Sequence, residues 1–300
     1  MPKPNDVPEK LKPYLFHRVD LNYEGSGEPR GTCPFCGGDK FFVGRDNGLF
    51  SCKVGSCGAS GNAYTFIRKL YQASLDSSQD AGYEEVAEDR KIPVEEIKEW
   101  GLCRSIIDQE WILPAYGPKG EVSNLYRWSL MKGKRRFLAT TTFNAYLFGY
   151  QFWDQAKPDV YLAEGPWDGM ALRYDLGSGR EVGGRLIRTL DKSLTLLART
   201  NVLAVPGCET FREEWVSIFA GKNVTLLYDN DYPRTVKTGT NPPAGTAGMK
   251  TAARKLRKVA KSISYLHWGD EGYDAELPDS FDVRDYLTQE DAETTTIAAE

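Results

Sequence analysis

The sequence predicts an α/β protein in three parts: a small antiparallel ribbon tied by four cysteines, a basic α+β subdomain, and a larger α/β domain built on a parallel sheet. Three observations carry this. Four cysteines fall in two close pairs, Cys33/Cys36 and Cys52/Cys57, around a short hairpin pattern. A cluster of lysines and arginines, 132–136, follows short strand-and-turn segments. After residue 156, short apolar β-branched runs that end in acids alternate with helical patterns, as strands of a parallel sheet do.

At 300 residues with 41% hydrophobic content, the chain is long enough for two or three domains with buried cores. It has no run of about 18 apolar residues, so no membrane span is expected, and its polar first twelve residues do not read as a secretory signal. A cytosolic protein is expected. The net charge of −4 hides an asymmetry. Gly269 to Glu300 holds 11 acids and one arginine, leaving 31 acids against 37 bases, so the first 268 residues carry +6. A basic body with an acidic tail suits a protein that handles polyanions, and equally a solvated basic surface.

Residues 1–72 read as the ribbon. Strands at 40–45 and 49–52 flank Asp46-Asn47-Gly48, where Asn-Gly favours the positive φ angles of a tight turn. Cys33, Cys36, Cys52 and Cys57 form two knuckles joined by this hairpin, a pattern that gives tetrahedral Zn²⁺ ligation in a reducing compartment. A ribbon this small has little core, so the metal supplies much of its folding energy. A helix should follow from Asn62 as N-cap, with Phe66, Ile67, Leu70 and Tyr71 on one face. Lys40, Phe41, Phe42 and Arg45 have two readings: structural core, or stacking and phosphate contacts to nucleic acid.

Residues 73–82, Ser-rich and polar, read as a linker. Residues 83–155 should hold two short helices, the second opened by Pro93 and ended by Gly101, and then a hairpin around Gly117-Pro118-Lys119-Gly120. Lys132, Lys134, Arg135 and Arg136, with Arg127 at a strand end, are the candidate phosphate-binding residues; the plain reading is a solvated basic face. Residues 156–288 carry the acids. A strand from Val160 ends in Glu164, Pro166 opens a helix, and Asp168 lies one turn beyond Glu164. A strand at Val202 follows. Val224 to Tyr228 leads to Asp229 and Asp231, two carboxylates that would repel each other unless a hard cation lies between them. Thr246 to Lys261 reads as an amphipathic helix with Met249, Ala252, Ala253, Leu256, Val259 and Ala260 inward. Gly245-Thr-Ala-Gly248-Met-Lys250-Thr251 imitates a phosphate-binding loop but has Met249 where glycine must precede lysine. His17 and His267 read as packed or exposed rather than catalytic, and Cys103 and Cys208 as ordinary buried thiols. Residues 289–300 form an acidic tail.

Cys33-Pro-Phe-Cys36, the hairpin, Phe50-Ser-Cys52 and Cys57-Gly-Ala-Ser-Gly61 resemble the zinc ribbon of DnaG-type primases, especially those of phage primase-helicases, with Cys-x4-Cys as a departure in the second knuckle. Arg90 to Leu102 is similar to a helical segment of the same enzymes, and Arg136-Phe-Leu with Leu147-Phe-Gly149 resembles their basic wall. Strand-Glu164-Gly, strand-Asp229-x-Asp231 and Asp282-Val-x-Asp285 are similar, in that order, to the Toprim domain that primases share with topoisomerases and some nucleases. Residues 232–243 are an insertion relative to that pattern.

The resemblance implies an RNA primase that joins NTPs on single-stranded DNA, in partnership with a replicative helicase, separate or fused. It puts Glu164, Asp229 and Asp231 in the catalytic centre, holding Mg²⁺ or Mn²⁺ with Asp168 and Asp282, and gives Arg127 and the 132–136 cluster to triphosphate and template. A Toprim nuclease and a non-catalytic zinc-ribbon DNA-binding adaptor are the alternatives. A topoisomerase would need gate domains that this length does not house.

Overall fold

In a computed structural model the residues described are 7–78, 82–131, 133–178, 196–236, 239–266, 268–269 and 272–288. Lys132, His267, part of the expected linker and the acidic tail 289–300 lie outside them. The chain divides into two compact units, Met1–Glu85 with Val94–Tyr146, and Val86–Pro93 with Leu147–Glu300. The α/β expectation holds: one unit is built on antiparallel sheets and the other on a parallel one. No helix among the described residues is long and apolar enough to cross a membrane.

The first unit opens with helix α1 (Lys12–Phe16) and a sheet of five short strands, β1 (Leu21–Asn22), β2 (Arg30–Gly31), β3 (Phe41–Val43), β4 (Phe50–Cys52) and β5 (Ser60–Gly61), antiparallel in sequence order. The β3–β4 turn closes through Gly48 N–H donating to Gly44 O at 2.8 Å, and within Asp46-Asn47-Gly48 only Gly48 takes positive φ, at 66°. Asn47 instead accepts from Leu49 N–H through its side chain. Helix α2 (Ala63–Ser77) starts where expected, with Asn62 Oδ1 accepting from Thr65 N–H at 2.9 Å. Its buried face carries Phe66, Ile67, Leu70 and Tyr71. Phe66 meets Tyr14 at 4.7 Å and Phe50 at 5.9 Å between ring centroids, and Phe50 stacks on Phe41 at 5.5 Å. Phe41 is therefore core.

Helix α2 overturns the linker reading of 73–82 as far as Ser77. A serine-rich stretch behaves as a tether when water satisfies its hydroxyls. Here Ser74 is buried and its Oγ accepts from Ile106 N–H at 3.1 Å, while Ser78 Oγ donates to Ser74 O at 2.7 Å and accepts from Arg104 N–H at 3.0 Å. These hydroxyls complete the backbone of a neighbouring strand and the turn after it, partners about thirty residues away that no local pattern reveals.

Helices α3 (Tyr83–Arg90) and α4 (Val94–Glu99) lead to β6 (Cys103–Arg104), β7 (Trp111–Tyr116), β8 (Val122–Met131) and β9 (Lys134–Leu138), a second antiparallel sheet in that order. Cys33, Cys52, Phe66 and Leu70 share one apolar core with Cys103, Ile112 and Leu125. Ribbon and second sheet are thus one hydrophobic body. His17 is sealed inside it: its ring bonds Thr140 Oγ1 at 2.8 Å, and Thr140 donates to Leu125 O at 2.7 Å. Burial, with the Arg127 charge nearby, lowers this imidazole to about 3.

In the second unit β10 (Asp159–Ala163), α5 (Pro166–Ser178), β11 (Thr200–Ala204) and β12 (Asn223–Leu227) precede a hairpin of β13 (Arg234–Val236) and β14 (Gly239–Asn241). Then come α6 (Ala244–Leu256), β15 (Ser262–Tyr265) and α7 (Val283–Thr288). The main sheet has the order β11-β10-β12-β15, all parallel. Strands β10 and β11 are buried at every position, as both faces of a parallel sheet require. Helices α5 and α7 pack together around Leu172, Leu176, Val202, Leu227 and Val283. The glycine-rich start of α6 packs closely against the backbone beside it. A Cβ on Gly248 would lie 2.3 Å from Cys208 O. The helix ends at Leu256, so Val259 and Ala260 fall in the turn after it rather than on its inward face.

Ser74→Ala leaves the half-buried Ile106 N–H without its partner. It should cost about 1–3 kcal/mol in urea unfolding of the first unit, whereas a solvated tether would lose nothing measurable.

Candidate metal centres

The four cysteine sulfurs lie within 4.8 Å of one another. Cys33 Sγ is 3.8 Å from Cys57 Sγ, and Cys36 Sγ is 3.7 Å from Cys52 Sγ. A tetrahedron with Zn–S bonds of about 2.3 Å has edges of about 3.8 Å. The cysteine set therefore fits a structural zinc, and the Cys-x4-Cys spacing of the second knuckle closes it without distortion of these edges. Around it Lys40 is exposed and Phe42 half-buried beneath the Arg30 guanidinium, 5.7 Å from the ring centre. Arg45 donates to the carbonyls of Tyr23, Gly25 and Gly27 and so fastens the loop between β1 and β2. Of the four residues weighed for nucleic acid on the ribbon, Phe41 and Arg45 are committed to the fold.

The acids come together through sheet topology. The crossover after β10 runs to β11 on one side, while the chain after β12 runs to β15 on the other, so strand order reverses between β10 and β12. Ligand crevices of open α/β sheets form at the carboxyl ends of such strands. Glu164 follows β10 directly, and its N–H donates to Leu227 O at 3.1 Å, keeping the two strand ends in register. Asp229 N–H in turn donates to Glu164 Oε2 at 3.1 Å. Asp231 is buried, its Oδ2 accepting from Gly245 N–H at 2.8 Å and its Oδ1 from Ser280 Oγ at 3.2 Å. Gly245 has to be glycine, because a Cβ there would lie 2.4 Å from Asp229 O.

Asp168, in the first turn of α5, is buried, and its Oδ1 has no hydrogen-bond partner among the described residues. Asp282 reaches the same place because Asn230, between the two strand-end acids, ties down the segment before it. Asn230 N–H donates to Phe281 O at 2.8 Å, and its side chain both donates to Asp274 O and accepts from Asp274 N–H. Asp282 also caps α7 by accepting from Asp285 N–H at 2.7 Å, and it pairs with Arg284 at 2.9 Å.

Burial and mutual repulsion raise Glu164, Asp168, Asp229 and Asp282. Burial pushes Glu164 up to about 7, with Asp231 and Asp282 adding to the rise and the Asp229 N–H and Cys208 thiol opposing it. Asp229 is raised by burial and then by Glu164, Asp168, Asp282 and Asp231. Asp168 is raised by burial and by the charge of Asp282, with Arg284 opposing the rise. The structure thus gathers all five expected acids, but among the described residues no three of their ligand oxygens close within 4.8 Å as the cysteines do. That open arrangement, with an orphaned buried oxygen on Asp168, fits a hard divalent cation that takes one or two carboxylates and keeps its waters.

The basic candidates divide. Arg127 is buried and forms a two-pronged pair with Asp108, at 2.5 and 3.3 Å. Its guanidinium is engaged inside the first unit, which corrects the expectation that it touches triphosphate or template; Asp108 sits 19 residues away, beyond any local motif. Lys134, Arg135 and Arg136 are exposed on the edge strand β9, but alternation splits them. Arg135 shares a face with Trp128, its guanidinium 5.0 Å from that ring centre, and Lys134 and Arg136 project to the other face. They do not form one wall of three. Ser280, Gly245 and Asn230 join the site through backbone or non-local bonds that no local pattern reveals, and Arg284 joins it by pairing with its neighbours Asp282 and Asp285. From sequence Cys208 reads as an ordinary buried thiol, whereas it lies half-buried beside Glu164.

Cys52→Ser should lose bound zinc by metal analysis and speed hydrogen exchange in β6–β8 as well as in the ribbon, because they share a core. For the acids, Glu164 holds its proton more tightly folded than unfolded. The metal-free protein should therefore lose stability as pH rises from about 4.5 to about 7, and Glu164→Gln should flatten that slope in thermal unfolding.

No protein-family model and no curated protein matches the chain. Among solved structures it is similar to the zinc-binding and RNA polymerase domains of the Aquifex aeolicus primase, at 16% identity over 94% of this chain and 81% of that one, with a TM-score of 0.48. It is similar to the primase fragment of the bacteriophage T7 primase-helicase, at 15% identity over 89% and 94% of the two chains, TM-score 0.44. It is also similar to the E. coli primase catalytic core, at 17% identity over 75% and 74%, TM-score 0.48.

Proposed function

We propose that the chain is a DNA primase, a nucleotidyltransferase that makes short RNA primers from NTPs on single-stranded DNA during replication. The observation that carries this reading is the convergence of Glu164, Asp229, Asp231, Asp168 and Asp282 at the switch point of the parallel sheet, in a chain that also bears a four-cysteine ribbon. Glu164, Asp229 and Asp168 are the residues that would hold Mg²⁺ or Mn²⁺, with Asp231 and Asp282 anchoring the loops on either side. Bound there, such ions supply Lewis acidity and neutralise triphosphate charge, the main requirements of phosphoryl transfer.

The chain's own groups do the rest. Glu164, at the end of β10 beside Asp229, is placed to accept a proton from a 3′-hydroxyl. Asp229 N–H fixes Glu164 Oε2, which orients the carboxyl. Lys134, Arg135 and Arg136 offer exposed phosphate contacts, and the buried Trp128 ring backs the Arg135 guanidinium alone. A replicative helicase is the expected partner and the cytoplasm the expected compartment. A nuclease could use the same acids, so incubation with single-stranded DNA, labelled NTPs and Mg²⁺ or Mn²⁺ decides: short RNA supports the primase, loss of template the nuclease, and binding alone an adaptor.

Asp229→Asn is a cleaner probe than a change at Asp231, whose two oxygens both accept structural hydrogen bonds. The Asp229→Asn protein should fold, be at least as stable as the parent without metal, and no longer gain the parent's thermal shift from Mg²⁺. Primer synthesis should fall by several orders of magnitude, and a near-normal rate would remove Asp229 from the centre.

A further inference from the structure

The hairpin of β13 and β14 faces solvent with the side chains whose exposure is described. Arg234, Thr235, Thr240, Asn241 and Pro242 are exposed, and Arg234 makes no ion pair among the described residues. A two-stranded hairpin is marginal in water unless something holds it. This one is held at its root, on the acid centre. It leaves the body directly after Asp231 and returns at Pro243, two residues before Gly245, whose N–H donates to Asp231 Oδ2. Tyr232 pins the outgoing strand: its N–H donates to Asp279 Oδ1 at 2.7 Å, and its hydroxyl donates to Ala275 O and Leu277 O. Its ring lies 5.4 Å from that of Tyr273.

The side chains have a common chemistry. In register, Arg234 faces Asn241 and Thr235 faces Thr240, so one face offers a guanidinium with an amide and the other two hydroxyls. Residues 232–243 contain Arg234 and Lys237 and no acid. Guanidinium, amide and hydroxyl groups are those that contact the sugar–phosphate backbone of nucleic acids. Beside a cluster of carboxylates that repels a polyanion, a rooted cationic arm supplies the local counter-charge.

We propose that the β13–β14 hairpin is a clamp for the sugar–phosphate backbone of a nucleic-acid strand led to the acid centre, with Arg234 as its main phosphate contact. The proposal deepens the nucleotidyl-transfer reading and rests on it. A strand fits better than a free nucleotide, because the groups lie on both faces of an extended ribbon rather than around one pocket.

The test uses the full zinc-bound chain. Fluorescence anisotropy with a labelled single-stranded DNA oligonucleotide in Mg²⁺, across a salt series, compares the parent with Arg234→Ala and with a variant in which 233–242 is replaced by a short Gly-Ser bridge and folding is checked by circular dichroism. ATP–Mg²⁺ binding is measured in parallel. Arg234→Ala should weaken DNA binding several-fold, reduce the slope of log affinity against log salt by about 0.7, and leave ATP binding unchanged. The bridged variant should lose at least as much. Unchanged DNA affinity and slope in both variants would overturn the clamp, as would a loss confined to ATP or a parent that does not bind the oligonucleotide. Primer synthesis by the parent is scored separately. DNA binding that depends on Arg234 in a parent that makes no primer would sink the primase and keep the clamp; primer synthesis with Arg234-independent binding would do the reverse.

Discussion

Like charges crowded into a partly dry space repel, and the second unit is organised around that constraint. Glu164 and Asp229 sit at adjacent strand ends because β10 and β12 pair in parallel with Ala163 opposite Leu227. Asp168 is brought in by the first turn of α5 and Asp282 by the start of α7. The fold tolerates the concentration of carboxyls in three ways. Glu164 and Asp168 keep their protons past the usual carboxylate range. Backbone N–H groups of Asp229 and Gly245 bond individual oxygens. Arg284 offsets Asp282 from one side. A divalent cation would relieve the remainder.

Much of this was legible in the sequence, for a reason common to the readable parts. Cysteine spacing, fully apolar strand runs and the acids that follow them are local patterns, and the physics that fixes them acts within a few residues. The misread parts depend on partners far along the chain. Ser74 and Ser78 look like tether residues until Arg104 and Ile106 are placed against them. Arg127 looks available until Asp108 is found 19 residues earlier. The basic run in β9 looks like one surface until strand alternation sends Arg135 one way and Arg136 the other. Asn230 and Ser280 carry no motif at all, yet they hold the segment that delivers Asp282.

The two metal centres differ in what they ask of the chain. The cysteine set is closed, with sulfur spacings already those of a filled tetrahedron, so its ion belongs to folding. The acid set is open, with a buried oxygen of Asp168 left unpartnered among the described residues, an arrangement suited to a cation that keeps its waters. Closed softness and open hardness match zinc and magnesium respectively.

The sealed imidazole of His17 has a consequence for how the molecule responds to its surroundings. Thr140 spends its hydroxyl proton on Leu125 O, so the lone pairs of Thr140 Oγ1 face His17 and fix the hydrogen on Nε2. With a value of about 3, the ring stays in that one tautomer across neutral and mildly acidic conditions. Its bond to Thr140 is therefore indifferent to pH between about 5 and 8, the same interval in which Glu164 changes protonation. The protein thus segregates its proton traffic: this part of the ribbon-bearing unit is electrically silent where the acid-bearing unit is responsive, and in the metal-free protein acidification can retune the acid cluster without disturbing the contact that His17 makes.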